Sequence, residues 1–398
     1  MRSLFFISIC VFLLNASTIN LNKILQDLKN SHPLAKSIND LVYANNSQSK
    51  ALDAGEAIKL LADRGYSKPH LDQSGYEYSI GLEQNFMNPT VKNSILKSAS
   101  YQGEAEILKL KYDFMILENE VRLLYHTNCL DQYNLEQYKR SLNAFLEIYS
   151  KKERAYSYGE ISKKDLLSLE IELDRLKGEY NRYESEVEIS RSLLQSKALL
   201  SLLVQDQLEC KDMEQITKDP LFNNETVSLQ EESIEKKILS LQSDFNRYNA
   251  AFDSFSLSAS YQNELDTKKF VVGLTIPLNF TSSLNEQSRS MITHKKSALT
   301  HEKEALILQK NSKADALKKR VSQQFEEVKR EKNMLDRYEL ELMPLVEKAY
   351  TFGESSAIEY LLFHRELSKI KEELILYRKN YYTTLFELYS VLKSKDQL

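Results

Sequence analysis

Nine positions that step alternately by three and four residues, Leu166, Leu169, Leu173, Leu176, Tyr180, Tyr183, Val187, Ser190 and Leu194, recur 194 residues later as Tyr360, Phe363, Leu367, Ile370, Leu374, Tyr377, Tyr381, Thr384 and Leu388. Such an alternation keeps one narrow stripe turned toward a partner helix, the pattern of a coiled coil. The polar exception falls at the same place in both copies, Ser190 and Thr384. Each stripe follows the same kind of turn: Gly159 and Gly353 stand after an aromatic residue, Tyr158 or Phe352, and before a glutamate, Glu160 or Glu354. The glycines suit left-handed helix C-caps, and Ser162 or Ser355 can cap the returning helix. The chain is therefore expected to contain one long helical hairpin twice.

The outgoing arm of the first hairpin carries its own stripe, Ile107, Leu110, Phe114, Leu117, Val121 and Leu124, broken by Asn128 and Asp131 and resumed at Leu135, Tyr138, Leu142, Phe145 and Tyr149. It predicts one helix from about Val91 to Tyr156, roughly 100 Å long. The counterpart from about Ser288 to Ala349 is more polar and its stripe is weaker, and Pro344 is expected to kink or interrupt it. With 9 Gly and 6 Pro in 398 residues, the backbone has few other places to reverse.

A second period appears between the helices. Tyr76, Tyr78, Ile80, Leu82 and Phe86 alternate with polar residues, as do Phe255, Leu257, Ala259 and Tyr261. Phe270, Val272, Leu274, Ile276, Leu278 and Phe280 form a third run, and Ile58, Leu60, Ala62 and Tyr66, within about Glu56 to Tyr66, a weaker fourth. Period two predicts strands with one apolar and one wet face. Gly81 and Gly273, each followed by Leu and a terminal Asn-Phe, place these strands in the duplication as well. Each half then reads short helix, strand, strand, long helix, tip, long helix, with residues 17–218 as the first repeat and 219–398 as the second.

Residues 1–16, one arginine followed by an apolar run from Leu4 to Leu14, have the layout of a cleavable secretory signal. Cys10 lies inside that run, leaving Cys129 and Cys210 in the mature chain. On the two arms of a hairpin turning at Gly159 they would be offset by roughly 30 Å, so free thiols are expected. No later run reaches the ~18 apolar residues of a membrane-spanning helix. The 23 tyrosines, with no tryptophan, suit half-wet seams and membrane interfaces, or equally ordinary core positions.

Strands of about ten residues with aromatic ends fit an outer-membrane barrel. A small half-exposed sheet on the helices is the alternative. Four strands cannot close a barrel, and open edges in hydrocarbon are costly, so copies of the chain would have to share one. Eight strands or twelve would both serve. A net charge of −4 without a basic patch gives no reason to expect nucleic acid. The histidines 32, 70, 126, 294, 301 and 364 are scattered, read as solvated, and make no metal pattern, even though His294 and His301 share a helix face. No catalytic motif is present, so neither an enzyme nor a cofactor is expected.

In this order and duplicated spacing, the "GLEQNF" and "GLTIPLNF" strands and the "YGEISKKD" and "FGESSAIE" tips resemble the TolC-like outer-membrane efflux family, whose strands carry a loose GL-x-x-x-P-L-F element. The resemblance covers nearly the whole mature chain. It implies a mostly α fold with a small β part: a homotrimer with a twelve-stranded outer-membrane β-barrel continued by a periplasmic α-helical barrel. It also implies a passive conduit for small molecules, drugs or metal ions, set in outer-membrane lipid of a Gram-negative bacterium and served by a periplasmic adaptor and an inner-membrane transporter of RND or ABC type. By the same resemblance, Gly159, Glu160, Gly353 and Glu354 would meet the adaptor, and Asp165 and Glu359 would line the pore constriction. Leu362 stands where the family often has a second acid, a departure from its pattern. As ordinary first-turn residues, Asp165 and Glu359 would simply favour their helix dipoles. The alternative function is an exported, soluble coiled-coil adaptor or scaffold with no membrane barrel.

Overall fold

The computed structural model describes residues 18–68, 74–199, 207–220, 228–278 and 283–392. The proposed signal, Cys10, His70 and the Asn279–Phe280 end of the last strand run lie outside the described residues. The chain divides into two compact units, one of residues 1–35, 115–224 and 313–398, the other of 36–114 and 225–312.

The first unit is built on the two hairpins. Helix α3 (Pro89–Ser157) enters it and turns into α4 (Lys163–Ala198). Helix α6 (Leu284–Arg337) continues through a π-helical turn, Tyr338–Leu342, into α7 (Met343–Thr351), and the chain returns as α8 (Ala357–Val391). The interruption expected at Pro344 takes this form: proline lacks an N–H and its ring crowds the preceding turn. The looser i→i−5 turn absorbs the misfit, with Met343 N–H bonding to Tyr338 C=O.

The α4 stripe is inside: Leu166, Leu169, Leu173, Leu176, Tyr183, Ser190 and Leu194 are all buried. The polar breaks face one another. Asn128 donates to Ser190 Oγ at 2.9 Å and Val187 O at 3.0 Å, and Asp131 pairs with Lys379 of α8. A buried amide or carboxylate is tolerable only when paired in this way, and the pairing fixes the register of the facing helices. Along α6, the buried residues Ala314, Leu317, Val321, Gln324, Val328, Glu331 and Leu335 also step by three and four, a stripe hidden in the sequence by its two polar members.

The free thiols expected at Cys129 and Cys210 are a disulfide, with Cα atoms 5.6 Å apart. The expected offset does not arise because α4 stops at Ala198, capped by Leu199 in the left-handed region (φ 51°), and Cys210 lies back toward the Gly159 turn. Lys197 pairs with Glu120, whereas Cys210 meets Cys129, nine residues nearer the Gly159 turn. Before Cys210, strand β4 (Gln207–Leu208) pairs in parallel with β1 (Thr18–Ile19), ahead of α1 (Leu21–Ser31). Residues 207–220 form a strap held by Tyr125 Oη to Glu209 O, by Tyr382 Oη to Glu214 O at 2.6 Å, and by Tyr381 Oη with both Thr217 N and O.

His126 lies beneath the strap and is fully buried, against the expectation of a solvated side chain. Its Nδ1 is 2.7 Å from Arg122 O and its Nε2 accepts from Glu214 N–H at 2.8 Å. Burial is the main reason its pKa is lowered to about 4. His364 is also largely enclosed, packed on Tyr360, whereas His294 and His301 are exposed as expected.

The second unit holds α2 (Pro33–Asp53), α5 (Leu229–Arg247) and a four-stranded sheet. Small polar residues allow close helix approach here: Ser98 Oγ meets Ser240 Oγ at 2.9 Å, and Ser233 donates to Ala105 O at 2.7 Å. Lys310 reaches the largely buried Glu231, so that this carboxylate is not left unpaired.

Candidate functional site

The sheet consists of β2 (Lys59–Ser67), β3 (Gly75–Met87), β5 (Ser254–Asn263) and β6 (Lys268–Thr275), antiparallel throughout in the order β2-β3-β5-β6. The last strand is shorter than its alternation suggests. Regular pairing ends at Thr275, two residues before Pro277, which cannot donate to a ladder. The weak fourth candidate forms β2, slightly later than its predicted bounds.

Register puts the apolar sets together. Leu60 faces Leu82, Ala62 faces Ile80, Leu82 faces Ala259, Leu257 faces Leu274, and Ala259 faces Val272. This face is uncovered: Ile80 is 55% exposed, Leu82 53%, Val272 71% and Phe270 73%. The opposite face carries Asp63, Glu77, Ser79, Glu83, Ser258, Ser260, Gln262 and Lys269. A sheet in water would bury its apolar side; here the apolar side is bare. Aromatics mark both ends of that side. Tyr66 and Tyr76 meet edge to face at 5.3 Å near the hairpin turn, and Phe86 and Phe255 stack at 5.3 Å at the other end.

The two repeated glycines have a steric reason. A Cβ on Gly81 would lie 2.6 Å from Ser260 Cβ, and one on Gly273 would lie 2.6 Å from Ser258 Oγ. Both sit on the polar face; at Gly81 the Ser260 backbone and Cβ leave no room for a side chain, whereas at Gly273 the neighbour is a rotatable hydroxyl. Strands β2 and β6 each pair on one side only, so each leaves a row of backbone groups for another strand.

The helix tips share one geometry. Gly159 (φ +79°) and Gly353 (φ +76°) occupy the left-handed region. Gly159 N–H bonds to Tyr156 O and Glu160 N–H to Ala155 O, each at 2.9 Å; Gly353 and Glu354 repeat this with Tyr350 O and Ala349 O. This is the Schellman closure, which satisfies orphan carbonyls at a helix end. Tyr158 and Phe352 stand out from the two tips, 79% and 69% exposed.

Ser162 caps α4 as expected, but Ser356, not Ser355, caps α8. The 194-residue offset that aligns the stripes also maps Ser162 onto Ser356. Asp165 and Glu359 are the N3 residues of these caps. Ser162 Oγ donates to Asp165 Oδ2 at 2.8 Å, and Ser356 N–H donates to Glu359 Oε2 at 2.9 Å in a complete capping box. Glu359 and Leu362 are exposed, and Asp165 is half-buried. Two groups of bonds tie the hairpins together above the tips. Lys152 lies 5.3 Å from the Tyr350 ring centroid, and Tyr138 and Tyr183 both donate to Glu372.

Among the described residues, no helix is long and apolar enough to cross a membrane and no group of three His, Cys, Asp or Glu is placed to hold a metal ion. No family model matches the sequence, and no curated protein matches it. Solved structures do match. The outer-membrane channel OprN covers 95% of this chain and 91% of its own at 14% identity, with a TM-score of 0.75. CusC, described for transmembrane channel formation, covers 94% and 92% at 15% identity, with a TM-score of 0.73. The CmeC outer membrane channel of Campylobacter jejuni covers 93% and 85% at 14% identity, with a TM-score of 0.69. The chain has the fold of the TolC-like outer-membrane efflux channels.

Proposed function

We propose that the chain is one subunit of a homotrimeric outer-membrane channel, a passive conduit of a tripartite efflux or secretion system rather than an enzyme. The observation that carries this reading is the bare apolar face of the sheet, bounded by aromatic residues and backed by a polar face. Lipid is the solvent that makes such a face favourable, and a closed ring is the only arrangement that satisfies the edges of β2 and β6 within it. Three copies would supply twelve strands. The polar face would then line a wet lumen, and the helices would continue into the periplasm.

Small molecules, drugs or metal ions would enter from an inner-membrane transporter of RND or ABC type by way of a periplasmic adaptor. The tips at Gly159–Glu160 and Gly353–Glu354 suit the adaptor contact, because the exposed aromatics Tyr158 and Phe352 beside them offer rigid apolar anchors. Asp165 and Glu359 would contribute carboxylates near the constriction, where rings of charge tune selectivity.

Two measurements test the reading. Membranes washed with high salt should keep the protein and release it only with detergent; release by salt alone would favour a soluble scaffold. In planar bilayers, Glu359→Gln keeps a cap for Ser356 while removing the charge, and should lower cation selectivity. Unchanged selectivity would remove Glu359 from the constriction.

A further inference from the structure

The charge that the apolar face of the sheet turns outward lies in a single row. Arg64 pairs in register with Tyr78, Tyr78 with Asn263, and Asn263 with Lys268, so one level line crosses all four strands. The two cations occupy the two edge strands, about 14 Å apart at three strand spacings. The strand acids Asp63, Glu77 and Glu83 alternate onto the other face. Glu264, in the turn between β5 and β6, is engaged by Lys269 at 2.5 Å. The Arg64 guanidinium lies 4.2 Å from the Tyr76 ring centroid, held at the level of the aromatic end. Tyr66, Tyr261 and Phe270 complete that end, close to the hairpin turns.

A cation on a lipid-facing strand is costly at the middle of the bilayer and nearly free at its interface, where aromatic girdles also sit. A row of two cations, with no anion on this face of the described strands, is complementary to negatively charged headgroups. We propose that the Arg64–Lys268 row binds the phosphate groups of anionic lipid headgroups around the barrel. The proposal rests on the channel reading. Ring closure would bring Lys268 on β6 of one copy toward Arg64 on β2 of the next, so the seams between copies would carry the densest positive charge.

The test uses the full protein in detergent, with native mass spectrometry reading retained lipid. Phosphatidylglycerol, phosphatidylcholine and inorganic phosphate are the probes. The wild type should retain phosphatidylglycerol about 30-fold better than phosphatidylcholine, at about five-fold per cation. Arg64→Gln with Lys268→Gln should abolish the preference, and Arg64→Lys with Lys268→Arg should preserve it in a protein of unchanged oligomeric state. Equal retention of the two lipids by the wild type overturns the proposal, as does a preference that survives the double Gln variant. Displacement of lipid by millimolar inorganic phosphate overturns the commitment to a lipid surface. A protein that inserts into membranes yet shows no headgroup preference defeats this inference alone; one that stays dissolved without detergent and retains no lipid defeats the channel reading with it.

Discussion

His126 binds no proton readily while the strap covers it. The unfolded chain takes up a proton near pH 6.5, but the folded imidazole resists until about pH 4. Its contribution to stability is therefore complete above pH 6.5 and is lost as the pH falls across that window, by up to roughly 3 kcal/mol. His126→Gln can still accept from Glu214 N–H and should flatten this part of the profile, read as denaturation midpoints at pH 7.5 and pH 5. An unchanged slope would assign the pH dependence to other groups. Most stripe residues of α4 and α8 were legible from spacing alone, because burial at three-four steps follows from helix geometry, although Phe363 of the α8 stripe is 37% exposed. His126 was not legible, because what buries it is the strap, 88 residues later in the chain. Glu331 was equally hidden: it sits inside the α6 stripe with its pKa raised by burial and then by Glu373, and a charge at a seam position reads as a solvated residue until the partner helix is known.

At the scale of elements, the strap depends on its disulfide. The bond between Cys129 and Cys210 closes a loop of 81 residues, and loop-closure entropy gives it about 4.5 kcal/mol of stabilisation. Replacing both cysteines by serine should lower the unfolding free energy by an amount of that order and bring the denaturation midpoint down with it, and reduction of the native protein should have the same effect. A reductant that leaves the midpoint unmoved would show that hydrogen bonds alone hold the strap. The two hairpins and the four strands were visible in the sequence because each is periodic. The strap has no period, and its three-residue helical turn at Cys210 follows from tertiary contacts. The π-helical turn sits where Pro344 announced an interruption, although the sequence did not specify which kind.

For the molecule as a whole, the two faces of the sheet make opposite demands. Leu82→Arg would place a charge on the bare apolar side, at a cost of about 2–4 kcal/mol near the middle of a bilayer. Ser258→Arg, paired with the next residue of β3, would place the same charge on the polar side. The first should sharply reduce the protein recovered from membranes and the second should not; equal recovery would mean that the apolar side does not meet lipid. The sheet also joins the two halves of the chain. Its central ladder is β3 against β5, and Asn88 reaches across to Phe252 O at 3.0 Å. Cut into two polypeptides, the protein would leave each fragment with a raw strand edge that only the other completes. Duplication has thus left neither copy self-sufficient.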